Sequence, residues 1–391
     1  RSVAQKLYRR LQSYSTQVQR FIRAEKWLYS ARSRSQFKRM IQSVVPVDDL
    51  LIRRPGRSSQ QGRLRQVVPA RSFRSSLKQI VKIHHLNHPK IEESMSRWSI
   101  WWSAARPHTL PAAAVPVTIG VALAWYHGSV HLTASIVALT CALLIQIGTN
   151  FANDYFDFRK GADRDDRIGF KRATASGLVS PESMLRSTII TMFTAFLAGL
   201  YLVWIGGWVI LLIGILSLIF GILYTGGPWP LGYNGLGDLF VFLFFGFAAV
   251  MGTYYVNTLQ WSVDAFWASI PAGALCVNIL VVNNLRDVEQ DRISGKRPLG
   301  VLLGEMALKV EYLVMLLLAY ATLIIFYMQN GYGAAILLPL LALPFALYSM
   351  RSVWLHTDKT ELNGTLEKTG QFLVLFGILF ATGILLQVPS A

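Results

Sequence analysis

Residues 132–163 read LTASIVALTCALLIQIGTNFANDYFDFRKGAD, and residues 265–292 read AFWASIPAGALCVNILVVNNLRDVEQDR. Each stretch opens as an apolar run of bilayer-spanning length, about 17–25 residues as a helix. Each then ends in a cluster of Asn and Asp. Residues four apart on a helix share a face, so Asn153 stacks with Asp157 in the first cluster, and Asn283, Asp287 and Asp291 form a ladder in the second. Asn150 and Asp154 are also four apart, on the neighbouring face. Spacing alone leaves open which of those two pairs faces a site.

The rest of the chain follows the same plan. Nine apolar runs are predicted to cross a membrane: 107–126, 132–151, 185–204, 207–224, 236–255, 265–283, 310–328, 333–350 and 370–388. Of the 391 residues, 53% are hydrophobic and only 15% are charged, against roughly 25% charge in soluble domains. The composition therefore excludes an ordinary soluble enzyme and predicts an all-α integral membrane protein. Cys141 and Cys276 lie in separate apolar runs and read as small core residues rather than a disulfide.

Charge divides the chain in two. Residues 1–94 hold 21 Lys and Arg against 5 Asp and Glu, whereas residues 95–391 hold 17 against 16. The basic stretch is Arg- and Ser-rich and poor in acids, as a transit peptide is; a second reading is an arm held on anionic lipid. The reading adopted is a poorly ordered leader over 1–94 without a function of its own, with Met95 a natural start for a transmembrane domain over 95–391. No nucleic-acid partner is expected.

Within the membrane body, Lys and Arg gather in the loops 152–184, 284–309 and 351–369, while 127–131, 205–206, 256–264 and 329–332 carry none. By the positive-inside rule the two acidic clusters and the N-terminus share the cytoplasmic face. The membrane would be a bacterial inner membrane, or an organelle membrane if the leader is a targeting signal.

Carboxylates at the edge of a bilayer are costly to desolvate and usually functional or paired. Oxygen donors without His or Cys suit a hard cation, and Mg²⁺ favours a few carboxylates together with water and phosphate oxygens. Two such clusters on one face predict Mg²⁺ ions bridging a diphosphate. The plainer alternative is a solvated loop whose acids and bases pair among themselves.

These residues resemble the UbiA superfamily of membrane prenyltransferases, with its NDxxDxxxD and DxxxD signatures. NDYFDFRKGADRDDRIG, ATASGLVSP, YTGGPWPLGYNGLGDLFVFLFFG, GTYY and NNLRDVEQDRISGKRPLGVLLG are closest to the MenA family of 1,4-dihydroxy-2-naphthoate prenyltransferases. The likeness runs from about Trp98 to the last helix. It implies nine helices in a ring around a central cavity open to the lipid bilayer. It also implies transfer of a polyprenyl group from polyprenyl diphosphate to 1,4-dihydroxy-2-naphthoate, with loss of diphosphate and carboxylate. The resemblance selects Asn153, Asp157 and Asp163 with Asn283, Asp287 and Asp291 as metal ligands, Asp157, Asp287 and Asp291 being central to catalysis. Lys160, Arg164, Lys296 and Arg297 are the diphosphate cations it leaves, because loop 225–235 lacks the lysine of the YxxxK pattern many relatives carry. Arg106, Tyr155 and Tyr224 are candidates for the acceptor. His108 reads as a boundary residue, Asp238 as a helix cap, and the Phe-rich run 240–247 as lipid-facing packing ahead of a prenyl tunnel.

Other readings stay open. A different aromatic acceptor, such as 4-hydroxybenzoate or a chlorin, is one. An ion-coupled transporter with intramembrane carboxylates is another, although its charges would sit within broken helices rather than at helix ends. A membrane scaffold using the basic stretch as its contact arm is the third.

Overall fold

The computed structural model describes residues 96–163, 168–170, 172–329 and 332–387. The leader reading of 1–94 and the candidate Arg164 lie outside these residues. Among the described residues every regular element is a helix: α1 (Arg97–Ala105), α2 (Pro111–Tyr126), α3 (Leu132–Arg159), α4 (Pro181–Leu223), α5 (Gly237–Thr258), α6 (Val263–Ser294), α7 (Leu299–Leu303), α8 (Glu305–Met328), α9 (Leu343–Leu355) and α10 (Glu361–Leu385). Lipid offers no hydrogen bonds, so a spanning segment must satisfy its backbone internally, as a helix does.

By length and composition seven helices are fit to cross a membrane. An eighth span is counted if the pair Arg97–Thr109 and Pro111–Tyr126, bent by 54°, is taken as one. The expected segments 185–204 and 207–224 appear as the single 43-residue α4, broken at Gly207 (φ 66°, ψ −153°). That backbone conformation is essentially restricted to glycine, and at 1.5 Å per residue a straight helix of this length would far exceed a bilayer of about 30 Å. The expected segment 333–350 differs as well: Ala334–Ala342 is a 3₁₀ helix containing Pro339, and the α-helix begins only at Leu343. Proline lacks the N–H an α-helix needs there.

Two boundaries matter for function. α3 continues through Arg159 and α6 through Ser294, so both acidic clusters sit on helix rather than on loop. α6 is the central helix, with buried residues on every side of its middle turns. It meets α5 where glycine faces glycine. A Cβ on Gly246 would lie 2.7 Å from the Ser269 carbonyl, and one on Gly273 would lie 2.7 Å from the Phe242 carbonyl. Small residues of this kind let membrane helices approach backbone to backbone. The adjoining segment of α5, Phe242–Ala248, is wound as π-helix.

Gly246→Val and Gly273→Val are each expected to destabilise the protein by about 1–3 kcal/mol, read as a lower melting temperature in detergent. Gly364→Ala, on α10 with nothing within 4 Å of the added methyl, is expected to be neutral or slightly stabilising. Identical melting curves for the three would contradict the close crossing of α5 and α6.

Candidate active site

α3 and α6 carry the two acidic clusters to the same place. Asn153, Asp157, Asn283, Asp287 and Asp291 all line one cavity of about 420 Å³ among α2, α3, α4, α5 and α6. One end of the cavity is polar. The other is walled by side chains such as Leu200, Val203, Leu211, Phe220, Phe240 and Phe244.

Asp157 is 2% exposed and has partners from three segments. Lys296 Nζ is 3.1 Å from its Oδ2, Arg172 Nη2 is 3.6 Å from the same oxygen, and the Tyr233 hydroxyl donates to Oδ1 at 2.6 Å. Arg172 also reaches Asp163 at 3.5 Å. Asp287 is held by Arg286, whose Nε and Nη2 donate to its two oxygens at 2.7 and 2.8 Å. The same guanidinium donates to Asn283 and to Asn363. A carboxylate buried this deeply needs such partners to remain charged.

Hydrogen bonds separate the two pairs that spacing could not. Asp154 accepts from the backbone N–H groups of Ala173 and Thr174, both at 3.1 Å. Asn150 donates to the Ala105 carbonyl and to Thr109. That pair also lines the cavity, but its side chains are taken up in anchoring the chain around α3. Asn153 and Asp157 instead face Thr225, Tyr233 and Lys296.

The other candidates divide. Arg106, Tyr224 and Lys296 line the cavity. Arg106 adopts a left-handed backbone (φ 53°) at the bend between α1 and α2 and donates to the Asn150 carbonyl. Asp163 lies beside the cavity with Arg172 rather than in its lining. Lys160 and Arg297 flank it, Lys160 donating to the Thr225 carbonyl at 2.7 Å and Arg297 through its backbone N–H to the Tyr233 carbonyl. Tyr155, two residues on from Asn153, is not among the residues lining the cavity; it packs against the apolar cluster of Ala104, Phe151 and Met184.

Two further expectations change. Asp238 caps nothing: it lies in the first turn of α5, is 5% exposed, and neither carboxylate oxygen has a hydrogen-bond partner. The Phe-rich run is split by the helix, with Phe240, Phe244 and Phe245 lining the cavity while Leu239 and Leu243 are exposed.

Arg172, Thr225, Tyr233 and Arg286 were not singled out from sequence. Arg286 had a signal, since it stands three residues after Asn283 and directly before Asp287. Tyr233 had none. Burial, and next the Asp157 charge, hold its phenol far above the ordinary value, so it stays protonated and donates. Burial lowers the Lys160 ammonium, opposed by Asp157 and reinforced by Lys296.

Among the described residues no three His, Cys, Asp or Glu converge as a ready-made metal cage. Oxygen-only donors, buried and split between two helices, fit an ion that completes its shell with water and phosphate, as Mg²⁺ does. Asn153, Asp157, Asn283, Asp287 and Asp291 are the side chains placed to hold it.

Known proteins share both the sequence pattern and the helical arrangement. The 1,4-dihydroxy-2-naphthoate octaprenyltransferase of Escherichia coli (strain K12) is 36% identical over 306 residues, covering 77% of this chain and 99% of that protein. The apo structure of a UbiA homolog from Aeropyrum pernix K1 superposes with a TM-score of 0.56 at 17% identity, over 71% of this chain and 96% of its own. A UbiA homolog from Archaeoglobus fulgidus, solved bound to GPP and Mg²⁺, gives 0.53 at 13% identity, over 72% and 99%. These two show a common fold. With the sequence pattern of the UbiA prenyltransferase family matched across residues 113–385, from within α2 to the end of α10, this multi-pass membrane chain belongs to that family.

Proposed function

We propose that this prenyltransferase moves a polyprenyl group from polyprenyl diphosphate to 1,4-dihydroxy-2-naphthoate in a Mg²⁺-dependent reaction, giving a demethylmenaquinol. The observation that carries the reading is the meeting of Asp157 and Asp287, from α3 and α6, in one cavity with an apolar far end. The naphthoate acceptor is supported by the E. coli relative, a 1,4-dihydroxy-2-naphthoate octaprenyltransferase that this chain matches over 99% of that protein's length.

In this reading the allylic C–O bond of the donor breaks and a C–C bond forms at the acceptor carbon that bears the carboxylate. The carboxylate leaves as carbon dioxide, and the electron pair it leaves behind restores the aromatic ring. Bound Mg²⁺ supplies Lewis-acid stabilisation of the charge gathering on the departing diphosphate. Asn153, Asp157, Asn283, Asp287 and Asp291 hold the ions, with Asp163 behind them through Arg172. Lys296, Lys160 and Arg297 donate to phosphate oxygens. The apolar half of the cavity takes the prenyl chain and excludes water. Tyr224 presents a ring toward the allylic carbon, and Arg106 attracts the acceptor's carboxylate.

Nine crossings follow when α4 is counted as two at Gly207 and the bent first pair as one. The Lys and Arg distribution then puts the polar end of the cavity at the cytoplasmic face, and the bacterial relatives favour a bacterial cell membrane. A transporter would need its carboxylates along a path through the bilayer, whereas these sit at the ends of α3 and α6.

Asp157→Ala and Asp287→Ala are each expected to lower turnover at least about 10²–10³-fold, the scale of losing one electrostatic stabiliser, measured at a temperature where melting curves show each variant folded. Chelating divalent ions should abolish product formation and Mg²⁺ should restore it. Wild-type-like turnover in either variant would falsify the metal assignment. Arg106→Ala is expected to raise KM for the naphthoate roughly 10-fold or more with KM for the prenyl diphosphate unchanged. An equal rise in both would place Arg106 elsewhere.

A further inference from the structure

Loop 225–235 contains no lysine or arginine, yet it touches Asn153 and Asp157 as well as Lys160, Lys296 and Arg297. Thr225 donates from its hydroxyl to Asn153 Oδ1 at 2.7 Å and accepts Lys160 Nζ at its carbonyl at 2.7 Å. Tyr233, at the end of the short 3₁₀ turn Leu231–Tyr233, donates to Asp157 and accepts the Arg297 N–H at its carbonyl. Two ammonium groups lie over its ring, Lys160 Nζ 4.6 Å from the centroid and Lys296 Nζ 4.7 Å from it.

Those two lysines come from opposite halves of the site. Lys160 caps the C-terminal end of α3, and Lys296 follows α6. Like charges brought to one place repel, and each lysine loses side-chain freedom in being held there. An aromatic ring offers attractive potential on its faces, so a single tyrosine can draw both ammonium groups to one place while adding no negative charge beyond the Asp157 carboxylate that already pairs with Lys296 at 3.1 Å. Its hydroxyl fixes Asp157 at the same time.

We infer that Tyr233 is the positioning residue of the diphosphate site: its ring holds Lys160 and Lys296 for phosphate oxygens and its hydroxyl orients Asp157. This inference rests on the diphosphate reading above. It assigns the loop without a cation the task of gathering cations from both acidic clusters.

The test separates ring from hydroxyl. Binding of pyrophosphate with Mg²⁺ to the full-length protein in detergent is measured by calorimetry, beside steady-state kinetics with a polyprenyl diphosphate. Tyr233→Phe keeps the ring and is expected to hold pyrophosphate affinity and donor KM within about 2-fold of wild type while turnover falls. Tyr233→Leu removes the ring and is expected to weaken both by about 10-fold, the scale of two modest cation–π contacts. If the ring acts through the lysines, Tyr233→Leu should cost little further in a Lys160→Met/Lys296→Met background, since coupled residues are not additive. Melting curves check that each variant folds. Failure of wild type to bind pyrophosphate with Mg²⁺ would overturn the diphosphate reading itself. Wild-type binding matched by Tyr233→Leu, or a full additional loss in the double-lysine background, would overturn the role of Tyr233 alone.

Discussion

A carboxylate that is 2% exposed at the end of a membrane helix, Asp157, is the constraint around which this molecule is arranged. Isolated burial of such a charge is prohibitive, so the chain surrounds it with donors from separate segments. Lys296 follows α6, Arg172 precedes α4, and Tyr233 lies between α4 and α5. Satisfying one acid therefore draws together the ends of four helices. Asp287 repeats the solution locally, with the neighbouring Arg286 on both of its oxygens.

The opposite half of the cavity answers to a different requirement. Packing in lipid gains little from hydrophobicity and depends on shape. Gly246 and Gly273 let the backbones of α5 and α6 touch. The π-helical stretch Phe242–Ala248 adjoins that contact, and such bulges are frequently found at functional sites. On the same helix, Phe240 and Phe244 stack nearly parallel, their planes 10° apart, and both meet Phe220 of α4. Polar chemistry at one end and an aromatic-walled apolar chamber at the other result from how α3, α4, α5 and α6 cross.

Much of this is legible in the residues because it is periodic. Hydrophobic runs mark the spanning helices, and the four-residue spacing of Asn and Asp marks a face that the structure keeps helical through Arg159 and Ser294. What periodicity does not encode is which neighbour a face meets. Nothing in the spacing separates Asn153 and Asp157 from Asn150 and Asp154; two backbone N–H groups, those of Ala173 and Thr174, make the distinction. Tyr155 reads as a site residue for its aromatic ring, yet it packs on an apolar cluster and is not in the cavity lining. The short loop expected at 205–206 is a kink one residue on, where Gly207 leaves helical geometry between two stretches of helix. Asp238 stands in the first turn of its helix, two residues past the capping position held by Leu236, and makes no capping bond.

The loop 225–235 shows the same limit most clearly. Judged by residue type, a segment without Lys or Arg has nothing to offer an anion. Judged by contacts, its carbonyl at Thr225 and its ring at Tyr233 fix cations supplied by distant parts of the chain. A ring is a better device for this than an acid. Asp157 already pairs with Lys296; a second carboxylate beside the two lysines would add further negative charge where phosphate must approach, whereas the quadrupole of an aromatic face attracts ammonium groups without adding charge. Lys160 and Lys296 are thus pre-ordered yet still positive, which is the electrostatic condition for receiving a polyanion at the edge of a bilayer.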